Sequence, residues 1–451
     1  MKPGSLFLWF GFAVSGAAYA MLGQLPLRES MKLANPSVNF STTIRVLLAK
    51  AQNPRGTALK IDKGNLFYSP DDRAPWKRVG PDALLQVIQR RGRNSIGVNS
   101  EDSQSPVIFF RGGTNSGPLA FLGRWYRGAI RVHIEEDTLN LVNLLPLEQY
   151  LVGVIDAEMG ESWPLEALKA QSVAARSYAM FRLSQPKNPW YDIESTVQDQ
   201  VYHGVRLSSI PAKSQKAVAA TQGQVLTESG KVCRALFHAR CGGQTETAQS
   251  VWNRGSGATG DESVLCPGCQ KRRFDWRVQI PVTQILRRLK FPDEDHDLTI
   301  RNVKRASSGR VVDFIVESSQ NSRKVTSDEF RSLIGYEKLK SSFFSWRFDN
   351  HTMQIDGRGA GHGVGLCQWG ARYLANLGKD YLAILRHYYP RLRIEDGPSL
   401  SVSNRALSWS ERTPSQSVRS LSRSDVLPNR TSFQSVFAAA STRRSRSVSN
   451  Q

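Results

Sequence analysis

Three groups of residues in this chain have the types and spacing to do chemistry. The first is Asp156-Ala157-Glu158-Met159-Gly160-Glu161, three carboxylates within six positions, with Gly160 breaking helical continuity. A carboxyl held where two helices meet is a candidate proton donor. Burial beside Met159 and Trp163 would disfavour the charged form of Glu158 and raise its pKa towards the range of a general acid. On local sequence alone the commoner reading is a cap on the following helix, whose N-terminal end favours negative charge.

The second group is His238, Cys241, Cys266 and Cys269. This H-x2-C plus C-x2-C spacing suits tetrahedral zinc held by a neutral imidazole and three thiolates, with Cys233 as a spare ligand. Four protein ligands would make such a site structural, because a catalytic zinc keeps one position open. A disulfide from Cys241 to Cys266 or Cys269 competes, as it would in an oxidising compartment, and free thiols are the third possibility. The third group is the run Asp356 to Ala371, DGRGAGHGVGLCQWGA. So many glycines imply a backbone that turns tightly or lies close to a ligand or another strand. A phosphate-cradling loop is disfavoured, since no lysine followed by serine or threonine stands at the P-loop position of this run. His362 by itself reads as a buried structural histidine.

These groups need elements to position them. Pro146, with Leu147, Leu151 and Val154 on one face, predicts a helix that ends near Glu158. Trp163-Pro164 starts a second helix through Leu165, Leu168, Ala175 and Ala179, whose small side chains allow close packing and mark it as central. Before them, Ile44 to Leu48, Leu59 to Ile61, Val107 to Phe110, Ile130 to Ile134 and Leu139 to Leu144 read as strands. After them come a helix from Lys213 to Gln222, stopped by Gly223, and alternating short elements from Thr283 to Glu337: a helix at Ile285–Leu289, a strand at Val311–Val316 and a helix at Thr326–Leu333 capped by Thr326 or Ser327. The fold class is α+β.

A net charge of +21 over 451 residues, with a pI near 10.0, calls for an anionic partner. Nucleic acid is not that partner, as no zinc-finger repeat, helix-turn-helix or RNA-recognition signature occurs. Lys2, an apolar run from Leu6 to Val14 and Ala18-Tyr19-Ala20 have the form of a signal peptide, so residues 1–25 read as a cleaved signal or N-terminal anchor and membrane contact is confined to them. The expected location is periplasm or cell envelope. There, glycan strands stripped of peptide carry lactyl carboxylates that a basic groove would attract. The Ser- and Arg-rich stretch 393–451, with Arg443, Arg444 and Arg446, reads as a disordered tail, either a tether or a solvated extension.

The stretch LEQYLVGVIDAEMGESWPLEALKAQSVAARSYA resembles the signature of the stage II sporulation protein D family, also called the amidase-enhancer or SpoIID/LytB domain. CRALFHARCGGQTETAQSVW and GRGAGHGVGLCQWGA resemble two further family motifs, with Cys241 and Cys367 where the family has serine. The resemblance covers roughly Arg124 to Leu392, which implies a SpoIID-like catalytic domain at 124–392 behind a β-rich portion at 40–123. It implies a peptidoglycan lytic transglycosylase that cleaves the MurNAc–GlcNAc bond, prefers peptide-stripped glycan and needs no cofactor for catalysis, with Glu158 as the acid. Arg176, Gln200, Tyr202, His362, Gln368 and Trp369 become candidates to hold substrate. His238 gains a competing role as a cleft residue. Two other readings remain: a non-catalytic module that recruits or stimulates a cell-wall amidase, and a secreted basic zinc protein that binds another polyanion.

Overall fold

In the strand Thr43–Gln52 the alternating Ile44, Val46 and Leu48 are buried. It pairs antiparallel with Thr138–Pro146 and, over two residues, parallel with Ile193–Glu194. Thr138–Pro146 is buried along nearly its whole length, including Asn140 and Asn143, and the Asn143 side chain donates to the Arg127 and Ala129 carbonyls. Ala129–Glu135, Val107–Gly112, Leu66–Ser69 and Lys77–Val79 follow in order to complete a seven-stranded sheet. The computed structural model describes residues 42–397 apart from 53–57, 61–65, 71–74, 80–83, 91–92, 100, 113–118, 122–123, 136, 206–210, 253–261, 293 and 295–296. The expected signal segment 1–25 lies outside those residues, as does all of the 393–451 stretch but its first five positions. Of these five, Arg393–Asp396 form a strand antiparallel to Gln224–Glu228, so regular structure continues past Leu392. No helix among the described residues is long and apolar enough to cross a membrane.

The strand Thr138–Pro146 runs directly into helix α1, Leu147–Glu158, with Pro146 at its N-cap (φ −58°). Leu147, Tyr150, Leu151, Val154 and Ile155 form its buried face. Gly153 belongs to that face because a β-carbon there would lie 2.6 Å from the Tyr202 ring and 2.8 Å from the Gly204 carbonyl. The amides of Met159 and Gly160 both donate to the Ile155 carbonyl, and Gly160 takes φ +80° to turn the chain. Pro164 then caps helix α2, Leu165–Ser184, which is buried at almost every position from Ala167 to Met180. It packs against α1, against helix α3 (Ala212–Ala220), against the strand Gln224–Glu228 and against the helices Gln368–Asn376 and Tyr381–Tyr388. The alanine-rich helix is central, as its composition implied, and one core joins it to the main sheet.

From Asp275 to Arg358 the chain builds a second core around Phe314, Phe330 and Phe344. Two three-stranded antiparallel sheets supply it, Asp275–Pro281 with Thr352–Arg358 and Phe344–Asp349, and Thr299–Arg305 with Val311–Glu317 and Ser322–Thr326. Thr326 caps the helix Ser327–Ile334 by accepting from the Glu329 amide, as its sequence predicts.

Candidate active site

Glu158 is the last residue of α1, where the helix gives way to the Gly160 turn. Its Oε1 accepts the Val201 amide hydrogen at 2.9 Å, and its Oε2 accepts from Gln368 Nε2 at 3.0 Å. Burial pushes its pKa up from the ordinary 4.5, against the two hydrogen bonds, which favour the carboxylate. Among the described residues no second carboxylate figures in that shift.

The loop that offers the Val201 amide is anchored from beneath. Asp199 accepts from the Tyr178 hydroxyl at 2.5 Å and the Glu194 amide at 2.9 Å, and pairs with Lys187 and Arg182. On either side of Val201, Gln200 bonds the Tyr150 hydroxyl and the Ala175 carbonyl, and the Tyr202 hydroxyl donates to Asn143. Gln200 and Tyr202 are fully enclosed, so neither offers a surface to a glycan, contrary to the expectation from the resemblance. Arg176 corrects in the same way. It is buried in α2, forks onto Glu148 at 2.7 and 2.8 Å and donates to the Gln224 and Val218 carbonyls. A guanidinium under so much alanine is held only because its donors are used internally. Gln200 and Tyr202 hold the Val201 loop from within, and Arg176 ties α2 to Glu148 of α1.

Glu161 faces a different helix. Its carboxylate caps α3 through the amides of Lys213 and Ser214 and the Ser214 hydroxyl. Burial raises its pKa, but these bonds outweigh that and hold it below the usual carboxylate value. The capping reading therefore applies to Glu161, on α3 rather than α2, while Glu158 is left beside the Gln368 amide.

Gln368 opens the helix Gln368–Asn376, and Trp369 follows it. The Trp369 and Trp163 rings meet edge to face at 5.4 Å. Arg372 lies over both, at 4.9 and 5.1 Å, and Arg240 lies over Trp369 at 3.7 Å. Trp369, Arg240 and Arg372 are all partly exposed, so this wall presents aromatic faces and positive charge together. Neither arginine stood out in the sequence, because only the fold brings them to the tryptophans.

His362 is locked by the chain: Nδ1 accepts from the Val364 amide at 3.1 Å, leaving Nε2–H to donate to the Phe237 carbonyl at 2.9 Å. His238 Nδ1 bonds the Val364 carbonyl at 3.0 Å, and the two rings lie 5.4 Å apart. Burial pushes His238 down to about 3 and His362 well below its ordinary value, so both are neutral at physiological pH. The glycine run does turn tightly. Gly359, Gly361, Gly363 and Gly365 all have positive φ, and a β-carbon on Gly365 would meet the Leu236 carbonyl oxygen at 2.1 Å.

Cys241, Cys266, Cys269 and Cys367 are buried with all four sulfurs within 4.8 Å of one another, a cluster that could hold a metal ion. All are free thiols, so no disulfide joins them, and Cys233 stands apart. This corrects the expected ligand set: Cys367 takes the place assigned to His238, whose imidazole is turned to Val364 and His362. Ninety-eight positions of chain separate Cys367 from Cys269, too far for spacing to reveal the pairing. Its presence in a glycine loop as a fifth cysteine was the available signal.

A family model described as Stage II sporulation protein, SpoIID, matches residues 135–227, which carry Glu158, α2 and the Val201 loop. An uncharacterised protein of Brachyspira hyodysenteriae is 33% identical over 322 residues, covering 70% of this chain and 83% of that protein. The chain belongs to the SpoIID family. A stage II sporulation protein D of Bacillus amyloliquefaciens is 27% identical over 289 residues, or 60% of this chain and 80% of that SpoIID protein. The amidase enhancer of Bacillus subtilis is 28% identical over 290 residues, but the match spans only 39% of its length. A second family model, for a domain of unknown function, matches residues 267–365 and so falls on the second core of this SpoIID protein.

Proposed function

We propose that this chain is a cell-wall lytic transglycosylase that acts outside the cytoplasm on peptidoglycan glycan, with Glu158 as both acid and base. The observation that carries the reading is a carboxylate whose pKa is raised by burial, whose two oxygens each face a fixed donor, and to whose shift no second carboxylate among the described residues contributes. Hydrolytic glycosidases need two carboxylates, one for the leaving oxygen and one for the nucleophile or water. A transglycosylase can use one. Protonated Glu158 gives its proton to the bridging oxygen as the anomeric C–O bond breaks. The resulting carboxylate takes the proton of the muramic acid 6-hydroxyl, whose oxygen closes on the anomeric carbon to leave a 1,6-anhydro end. The nucleophile belongs to the same sugar, so its effective concentration is high. The Val201 amide and Gln368 would steady Glu158 in its ionised interval.

The partly exposed Trp369, Arg240 and Arg372, backed by the buried Trp163, suit sugar faces and lactyl carboxylates, and the net charge of +21 favours an anionic polymer. No metal takes part in this chemistry; a metal in the thiolate cluster would be structural. The similarity to an amidase enhancer supports a second reading, in which the chain binds glycan and stimulates a cell-wall amidase.

One experiment separates the two: mass spectrometry of peptide-stripped wall glycan after incubation with the wild type or with Glu158→Gln. New 1,6-anhydro ends from the wild type alone support the transglycosylase. Glycan binding without cleavage by folded wild type would leave the amidase-stimulating module, and hydrolysed reducing ends would require a second carboxylate.

A further inference from the structure

We propose that Cys241, Cys266, Cys269 and Cys367 form a four-thiolate zinc centre that fastens three separate loops to the start of the helix carrying Gln368. A tetrahedral zinc with bonds of about 2.3 Å places its sulfurs about 3.8 Å apart. Cys269 and Cys367 are 3.5 Å apart and no pair exceeds 4.8 Å, so closing on one ion asks for shifts of an ångström or less. The surroundings are those of a metal–thiolate site. Amide hydrogens of Cys241, Gly243 and Gly370 point at the sulfurs of Cys367, Cys241 and Cys367, each at 3.4 Å. The Tyr388 hydroxyl lies 3.2 Å from Cys266 Sγ. Four thiolates on a divalent ion leave a net charge of −2, and a buried cation stands beside them. Arg310, fully buried, donates to the Cys241 carbonyl.

Secondary structure cannot hold this corner by itself. Cys241 follows the two-residue strand Phe237–His238, whose only ladder among the described residues is to Leu366–Cys367, and Cys266 and Cys269 sit on the five-residue helix Pro267–Lys271 and the residue before it. Such thin elements are where a metal contributes folding energy directly. The helix Gln368–Asn376 also comes right up to the cluster: Cys367 caps it, and a β-carbon on Gly370 would lie 2.5 Å from Cys266 Sγ. The centre is thus one residue from Gln368 and holds the segment that faces Glu158.

The proposal stands whatever reaction Glu158 performs, because its test reads metal. The full chain is purified under reducing conditions with zinc, and bound metal is counted by plasma mass spectrometry. We expect about one zinc per chain in the wild type and in His238→Ala, and less than a tenth of that in Cys367→Ser. Should Cys367→Ser fail to fold, zinc-edge X-ray absorption of the wild type decides: four sulfur neighbours support the centre. Three sulfurs and one nitrogen, or loss of zinc in His238→Ala with retention in Cys367→Ser, would overturn the ligand set. A metal-free wild type, a pair of disulfides among these cysteines, or iron in place of zinc would overturn the centre as stated.

Discussion

Gln368 Nε2 donates to Glu158 Oε2 at 3.0 Å across 210 positions of chain. This bond joins the end of the first signature helix to the start of the helix after the glycine run, and makes the two motifs one site. It stabilises the ionised carboxylate while burial destabilises it, so the protonation of Glu158 rests on the balance of these opposing effects.

Replacing Glu158 by Gln removes the only proton carrier in the proposed reaction. Glycan cleavage should fall by roughly 10²–10⁴-fold, the usual share of general acid–base catalysis, with the chain still folded by circular dichroism. Stability should change its pH dependence as well. Because the folded-state pKa of Glu158 is raised, the protonated acid contributes stability below its unfolded pKa, and this is lost as pH rises through the folded value. Denaturant titrations across that window should show a smaller loss in Glu158→Gln than in the wild type.

In Gln368→Met the carboxylate loses one donor and keeps its burial. The pKa of Glu158 should rise further, so the alkaline limb of kcat/KM, where the acid deprotonates, should move to higher pH while the maximal rate falls. A limb that stays in place or moves to lower pH would show that Gln368 does not set the charge of Glu158.

The tryptophan and arginine wall should act on binding. Trp369→Ala should weaken affinity for glycan by roughly 10-fold, as expected for a stacking face that also holds two cations. Arg372→Gln should flatten the salt dependence of binding, measurable by titration calorimetry at two ionic strengths. A change in kcat with unaltered KM would place these residues elsewhere in the mechanism.

Arg176→Met should behave as a stability variant. It leaves Glu148 without its buried partner, at a cost of roughly 3 kcal/mol, near the low end for buried pairs because Glu148 retains contact with water. Urea denaturation should register that loss, and KM for glycan should stay within about twofold of wild type once the protein is folded. A large KM effect would restore Arg176 as a substrate contact.

Sequence alone determined the elements and where Glu158 stands among them, while its proposed role as the acid rests on the family motif. The three-and-four spacing of α1, the prolines before α1 and α2, the small residues of α2 and the placement of Glu158 at the break between them are local properties, set by backbone sterics and by which side chains can be buried. The mixed fold class and the capped helix at Ser327 followed from equally local signals. Burial and partnership are properties of the assembled chain, and there several expectations failed, although the burial expected to raise the Glu158 pKa is present. Arg176, Gln200 and Tyr202 have side chains suited to sugars, yet each is enclosed and spends its polar atoms on Glu148, Tyr150 or Asn143. His238 had metal-ligand spacing, but its Nδ1 is bonded to the Val364 carbonyl and the four-sulfur cluster does not include it, and Cys367 reaches the cluster from a distant loop instead. Tertiary structure decided these roles because a polar group taken from water must find its partner in space, and here that partner lies tens to hundreds of residues away.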